Sequence, residues 1–158
     1  MLDLKSNWTA FLADRTRDLP LRPLYVTKIR EKALTMKDAI RLTSGEPDFA
    51  TPSHIREAAK KALDEGYTFY TSARGLPEFR EAVCEKIREE QGVDIDPNSE
   101  VIATCGGIEG IYLALASLVN PSDDVIIPDP GYISYEAIVS FVGGRPVPVP
   151  LEAEEDFK

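Results

Sequence analysis

Histidine and tryptophan each occur once in the 158 residues, and cysteine twice. These scarcities narrow the chemistry. Around His54 no Ser-His-Asp or metal constellation can be assembled, and its place in the first turn of a helix reads as solvated surface. Cys84 and Cys105 lack metal-ligand spacing and are too few for a disulfide framework, so both read as small core hydrophobes in a reducing compartment. Basic side chains are also in short supply: eighteen Lys and Arg face twenty-seven Asp and Glu, for a net charge of -9. That balance argues against a general nucleic-acid or anionic-membrane binder. Long apolar runs are missing too, each being broken by Gly, Pro or charge well short of the roughly 20 residues a membrane span requires. The start, Met1 to Trp8, has no basic segment followed by an apolar one, so no signal peptide is expected and the expected location is the cytoplasm.

What is present is 43% hydrophobic residues, enough for the core of one ordinary domain. Residues 1–40 read as an irregular arm in which Pro20 and Pro23 separate two short helix-like pieces. Ala39 to Thr43 is strand-like. Thr51 and Pro52 then form a helix start, a Thr oxygen capping and Pro losing no hydrogen bond, with Ile55, Ala58, Ala59, Ala62 and Leu63 on one face and Gly66 as the stop. A second helix begins at Pro77, with Phe79, Ala82, Val83 and Ile87 inward and Glu and Arg outward, and closes at Gly92. Val101–Cys105 has the composition of a buried strand. After Gly106 and Gly107 come a helix over 108–119, a strand over 124–128, a helix over 132–142 and a strand over 145–151. Strands alternating with helices predict an α/β fold with a largely parallel sheet. Three strands in this part are few for such a sheet, so more of it is expected elsewhere, and the isolated chain is expected to expose apolar surface from 101–105 and 124–128.

The order strand, Gly106-Gly107, helix is the most informative local feature. The first N–H groups of a helix lack intrahelical acceptors, the peptide dipoles favour an anion, and glycine lets a phosphate approach the backbone. The same pair is as often simple punctuation between elements, and it fits neither G-x-G-x-x-G nor G-x-x-x-x-G-K-[ST]. Directly after the next strand stands Asp129-Pro130-Gly131-Tyr132. Loops at the carboxyl ends of parallel strands bind ligands, and an aromatic ring there can stack on a flat heterocycle. The turn Gly45–Asp48 could present backbone donors and Tyr70 a hydroxyl to an anionic group, although locally both read equally as loop structure. Glu89 with Glu90, and Glu154 with Glu155, read as solvated faces.

In sequence order, Leu42-Thr-Ser-Gly-Glu-Pro-Asp-Phe49, Tyr70 before Gly75-Leu-Pro-Glu-Phe-Arg-Glu-Ala82, Thr104-Cys-Gly-Gly-Ile-Glu109 and Pro128-Asp-Pro-Gly-Tyr132 closely resemble the class I/II aminotransferases over roughly residues 40–145. The resemblance implies a fold type I, pyridoxal 5'-phosphate (PLP) dependent enzyme, normally a homodimer, acting on amino-acid and 2-oxo acid substrates. Residues 1–40 would be its N-terminal arm or small-domain segment, and 41–158 the first part of its PLP-binding large domain. By position, Gly106, Gly107 and Ile108 match the loop holding the cofactor phosphate, and Tyr132 the ring stacked on the pyridine. Gly45 matches the glycine near the substrate carboxylate, and Tyr70 the tyrosine reaching the phosphate of the partner's site. Ile108 departs from members with a hydroxyl residue there, so its contribution would be its backbone N–H alone.

The family's cofactor-holding lysine, the aspartate facing the pyridine nitrogen and the arginine gripping the substrate carboxylate lie in a later half that these residues do not include. None of Lys5, Lys28, Lys32, Lys37, Lys60, Lys61, Lys86 and Lys158 has the buried context needed to replace that lysine, so the 158-residue chain is expected to be catalytically silent. Two alternatives stay open: a non-catalytic domain binding a phosphate ligand or a partner protein, and a part of another fold type I enzyme such as a decarboxylase or carbon-sulfur lyase.

Overall fold

Prolines and glycines set most of the boundaries in the computed structural model, which describes residues 13–17, 22–42 and 45–157. Helices α1 (Asp14–Arg17), α2 (Arg22–Leu34), α3 (Ser53–Asp64), α4 (Pro77–Gln91) and α5 (Gly107–Leu118) precede strand β1 (Asp124–Asp129), helix α6 (Ser134–Phe141) and strand β2 (Arg145–Pro150). Two compact units result, one of residues 45–105 and one combining 106–158 with the N-terminal residues.

In the unit 45–105, α3 ends in a complete left-handed cap. Gly66 adopts φ 84°, its N–H bonds the Leu63 carbonyl at 3.0 Å, and the Tyr67 N–H reaches back to Ala62 at 3.0 Å, the paired bonds of a Schellman turn. The start of α3 differs from expectation. Pro52 itself stands outside the helix with ψ 142° and no side chain caps it. Its carbonyl accepts from the Ile55 and Arg56 N–H groups, which leaves Thr51 no capping role. The apolar face of α3 is formed but uncovered, Ile55 and Leu63 both being exposed.

Helix α4 closes at Gly92 as expected, in the left-handed region with its N–H on the Arg88 carbonyl. Its inward face is rotated from the expected one. Arg80 and Cys84 are buried, with Val83 and Ile87 half-buried, whereas Phe79 and Ala82 are exposed. Arg80, read as outward, is only 6% accessible. A buried guanidinium requires acceptors, and the Pro97 carbonyl supplies one.

Residues 101–105 are not a strand, and neither are 39–42; Thr43 lies outside the described residues. The physical reason is pairing: β composition makes a strand only where a neighbour exchanges backbone hydrogen bonds. Cys105 is exposed, unlike buried Cys84, which corrects the reading of both as core residues.

In the other unit β1 and β2 run parallel, from Asp124 opposite Arg145 to Asp129 opposite Pro150, with α6 as the crossover. The sheet among the described residues therefore has two strands, not three. Val139 of α6, 1% accessible, and Ile138 form its centre. Gly144 lies so close beneath that a Cβ would stand 2.8 Å from Val119 Cγ1. Phe141 meets Tyr112 of α5 at 6.0 Å, and the Arg15 guanidinium of α1 stacks 5.5 Å from the Phe141 ring.

The sequence of β2, Arg-Pro-Val-Pro-Val-Pro, decides how the sheet can grow. The Arg145 and Leu151 N–H groups donate to Asp123 and Asp129, so odd-numbered residues face β1 and even-numbered ones face away. Pro146, Pro148 and Pro150 all lie on the far side, where they have no N–H to offer. β2 is thus an edge strand by chemistry, and a further strand finds full pairing only beside β1.

Two outcomes follow from this surface. Ile55, Leu63, Ile102 and Ile126 are exposed, so the 158-residue chain should bind a hydrophobic dye. Ile55→Lys with Leu63→Lys should reduce that binding while leaving the unfolding free energy from urea titration within about 0.5 kcal/mol of the parent sequence. Separately, Arg145 holds the Asp124 carboxyl below the usual carboxylate range through a paired hydrogen bond, 2.6 Å from Nη2 to Oδ2. A lowered carboxylate stabilises the fold above its ordinary pKa and stops doing so as pH falls through the lowered value. The stability difference between the parent sequence and Asp124→Asn should therefore shrink below about pH 4 in urea titrations.

Candidate functional site

The chain enters α5 through Gly106, at φ 83° and ψ 167°. That combination belongs to a region open essentially to glycine alone. It turns the chain so that Gly107 and Ile108 are the first two residues of a 12-residue helix, and helical geometry gives their N–H groups no intrahelical acceptor. The Ile108 side chain is apolar and exposed, so this residue can offer an anion only its backbone. Glu109 places a carboxylate in the same first turn and already complements the helix dipole in part. A dianionic phosphate here needs further positive charge from outside this turn.

The loop after β1 is equally constrained. Asp129–Pro130 is a cis peptide, and a Cβ on Gly131 would lie 2.3 Å from the Pro128 carbonyl oxygen, so glycine is required there. Tyr132 follows with about half its surface exposed. Its ring meets Tyr135 edge-on at 5.5 Å and 75°, which leaves a ring face available. Beside it lies a cleft of about 200 Å³ between the end of β1, the 129–133 loop and Pro146 and Pro148 of β2. This is below the roughly 300–1,000 Å³ of complete small-molecule pockets. The cleft is therefore too small to enclose such a ligand by itself.

Gly106, Gly107, Ile108 and Tyr132 thus belong to one compact unit, and Gly45 and Tyr70 to the other. Gly45 is exposed, with nothing within 4 Å of where a Cβ would stand. Tyr70 is fully exposed, in a loop where Tyr67, Phe69 and Leu76 border a second hollow. His54 is exposed. No group of three or more His, Cys, Asp or Glu among the described residues could hold a metal, and no described helix is long and apolar enough to cross a membrane. Reading residues one at a time missed Gly131 and Arg80. The Pro-Gly step inside Asp-Pro-Gly-Tyr signalled the first. Nothing local signalled the second, since arginine on a charged helix reads as solvated.

Residues 37–158 match the family model for aminotransferase class I and II, and the chain belongs to that family. Among its relatives, an aspartate aminotransferase of Pyrococcus horikoshii is 46% identical over 147 residues, 93% of this chain and 37% of the relative. An aspartate/prephenate aminotransferase of Cereibacter sphaeroides is 44% identical over 94% of this chain and 38% of the relative. The aspartate aminotransferase of Thermus thermophilus solved with maleate superposes with a TM-score of 0.85 at 38% identity, covering 92% of this chain and 38% of that one. The chain therefore spans little more than a third of the length of these proteins, and its α/β architecture is part of a fold type I domain.

Gly106→Ala should cost about 1–3 kcal/mol, because alanine cannot hold φ 83° and ψ 167° without strain. Urea unfolding checks this, with Gly45→Ala, which meets no neighbour, as the unstrained comparison.

Proposed function

We propose that the protein carrying this chain is a PLP-dependent aminotransferase that moves an amino group from an amino acid to a 2-oxo acid, acting as a cytoplasmic homodimer. Residues 1–40 serve as its N-terminal arm or small-domain segment, and 41–158 as the first part of its PLP-binding domain. Aspartate and aromatic amino acids are the first donors to test, because similar proteins bear the names aspartate, aspartate/prephenate and aromatic-amino-acid aminotransferase.

The observation that carries the reading is the glycine-only entry into α5, which leaves the Gly107 and Ile108 amides at a helix N-terminus with no intrahelical acceptor. These groups fit a phosphate. The half-exposed face of Tyr132 beside its cleft fits an aromatic heterocycle, and the exposed Tyr70 hydroxyl suits a phosphate in a partner's site. Gly45 stands at the position that meets the substrate carboxylate. When bound, PLP supplies an electron sink for the bond broken at the substrate Cα. The work of these residues is binding and orientation: amides on the phosphate, and a ring holding the heterocycle in plane. Lys60, Lys61 and Lys86 are exposed and paired with Glu57, Glu65 and Glu90, so none sits in the desolvated setting that nucleophilic amine chemistry needs.

The expected result is that the full-length protein loaded with PLP turns over an amino acid only when a 2-oxo acid is supplied, and that the 158-residue chain shows no turnover. Turnover by the short chain alone would overturn the assignment of the chemistry to residues outside it. Release of carbon dioxide or sulfide by the full-length protein without a 2-oxo acid would replace transamination with a decarboxylase or lyase reading.

A further inference from the structure

The first turn of α5 has little in its own backbone to hold it wound. Gly106, Gly107 and Gly110 all fall within it, and glycine gives up more backbone freedom on entering a helix than any other residue. The N-cap, Gly106, has no side chain with which to accept the first free N–H groups. The opening intrahelical bond, from the Gly110 N–H to the Gly106 carbonyl, is long at 3.4 Å, against 2.9 Å for the bond from Val119 to Leu115 at the other end. A turn held this loosely does not by itself keep two amides aligned on one ligand group.

Glu109 is the one residue of this turn whose side chain can accept from the backbone. It is also the only charged residue among the twelve of α5. Glu109 is half-buried, whereas Gly107 and Ile108 before it are exposed. A side chain extended into water would be exposed as well, so that of Glu109 lies back along the chain. It occupies the third helical position, from which a Glu or Gln side chain reaches the N-cap N–H. In the reciprocal form of that cap a Ser or Thr at the N-cap returns a second bond; glycine cannot, so the acceptor at 109 carries the capping alone. By charge, this carboxylate opposes a phosphate at the same helix end. Its contribution to binding therefore has to come from geometry.

We infer that Glu109 is a positioning residue for the phosphate-binding turn: its carboxylate caps the Gly106 N–H and keeps the first turn of α5 wound before any cofactor arrives. The inference rests on the proposed phosphate role of the Gly107 and Ile108 amides. Within the turn the donors are divided, the Gly106 N–H going to the side chain and the next two being left for the ligand. A turn wound in advance spares the ligand the ordering of its own binding site. Glutamine would cap as well as glutamate, because the reach and the acceptor oxygen are the same.

The test compares Glu109→Ala with Glu109→Gln in the full-length protein, two variants of equal charge of which only the second keeps the acceptor. In the cofactor-free protein, amide hydrogen exchange at Gly106, Gly110 and Ile111 should be about fivefold faster in Glu109→Ala than in Glu109→Gln, the scale of a lost helix cap. Amides between β1 and β2 should exchange alike in both. PLP should bind about fivefold more weakly to Glu109→Ala than to Glu109→Gln. Ser117→Gly weakens the same helix roughly two turns further on and should leave both readouts at the parent values. Equal exchange or equal PLP affinity in the Ala and Gln variants overturns the inference and leaves Glu109 acting by charge alone. An effect of Ser117→Gly as large as that of Glu109→Ala overturns it too, by reducing the role to general helix stability. If Glu109→Ala does not fold, Glu109→Asp, which keeps the charge but shortens the reach, is compared with the parent by the same criteria. A full-length protein that binds no PLP would refute the proposed function, while the cofactor-free exchange still decides whether Glu109 caps the turn.

Discussion

Gly106 turns an extended segment into a helix at a backbone conformation that a side chain would forbid, and the candidate site is organised around that turn. The helix it opens is apolar along most of its length, so no basic side chain in its first turn is available to bind an anion. What the turn offers is geometry: two amides with no intrahelical acceptor and the positive end of the peptide dipoles. The same economy governs the second loop, where Gly131 is forced by the Pro128 carbonyl and delivers Tyr132 immediately afterwards. Each loop combines a glycine required by the backbone with a group that can meet one part of a phosphorylated, flat heterocycle.

Prolines on the outer side of β2 leave that edge without N–H donors, so a further strand finds full pairing only beside β1. The exposed Ile126 on β1, the uncovered face of α3 and the exposed Ile102 are surfaces suited to packing against other elements.

The α/β order, the parallel pairing of β1 and β2, and helices α3 to α6 were legible in the sequence because each rests on local signals: apolar periodicity, a Pro at a helix start and a Gly at a helix end. What the sequence concealed depended on partners. Residues 101–105 have strand composition but no neighbour to pair with, and the buried face of α4 includes Arg80, whose guanidinium meets the Pro97 carbonyl, a burial that hydrophobic spacing does not register. Arg80 was read as solvated because its acceptor, the Pro97 carbonyl, lies 17 positions away. At the site, the glycines and Tyr132 were readable as a pattern. The cleft beside Tyr132, walled partly by Pro146 and Pro148, emerges only when β2 pairs with β1.

The central claim is that this chain contributes the phosphate cradle and the stacking ring of a PLP site. The most direct measurement is a crystal structure of the full-length protein with PLP bound. The account predicts phosphate oxygens within hydrogen-bonding distance of the Gly107 and Ile108 N–H groups, with the pyridine ring lying against the face of Tyr132. A phosphate bound away from the start of α5, or a ring with no contact to Tyr132, would contradict it.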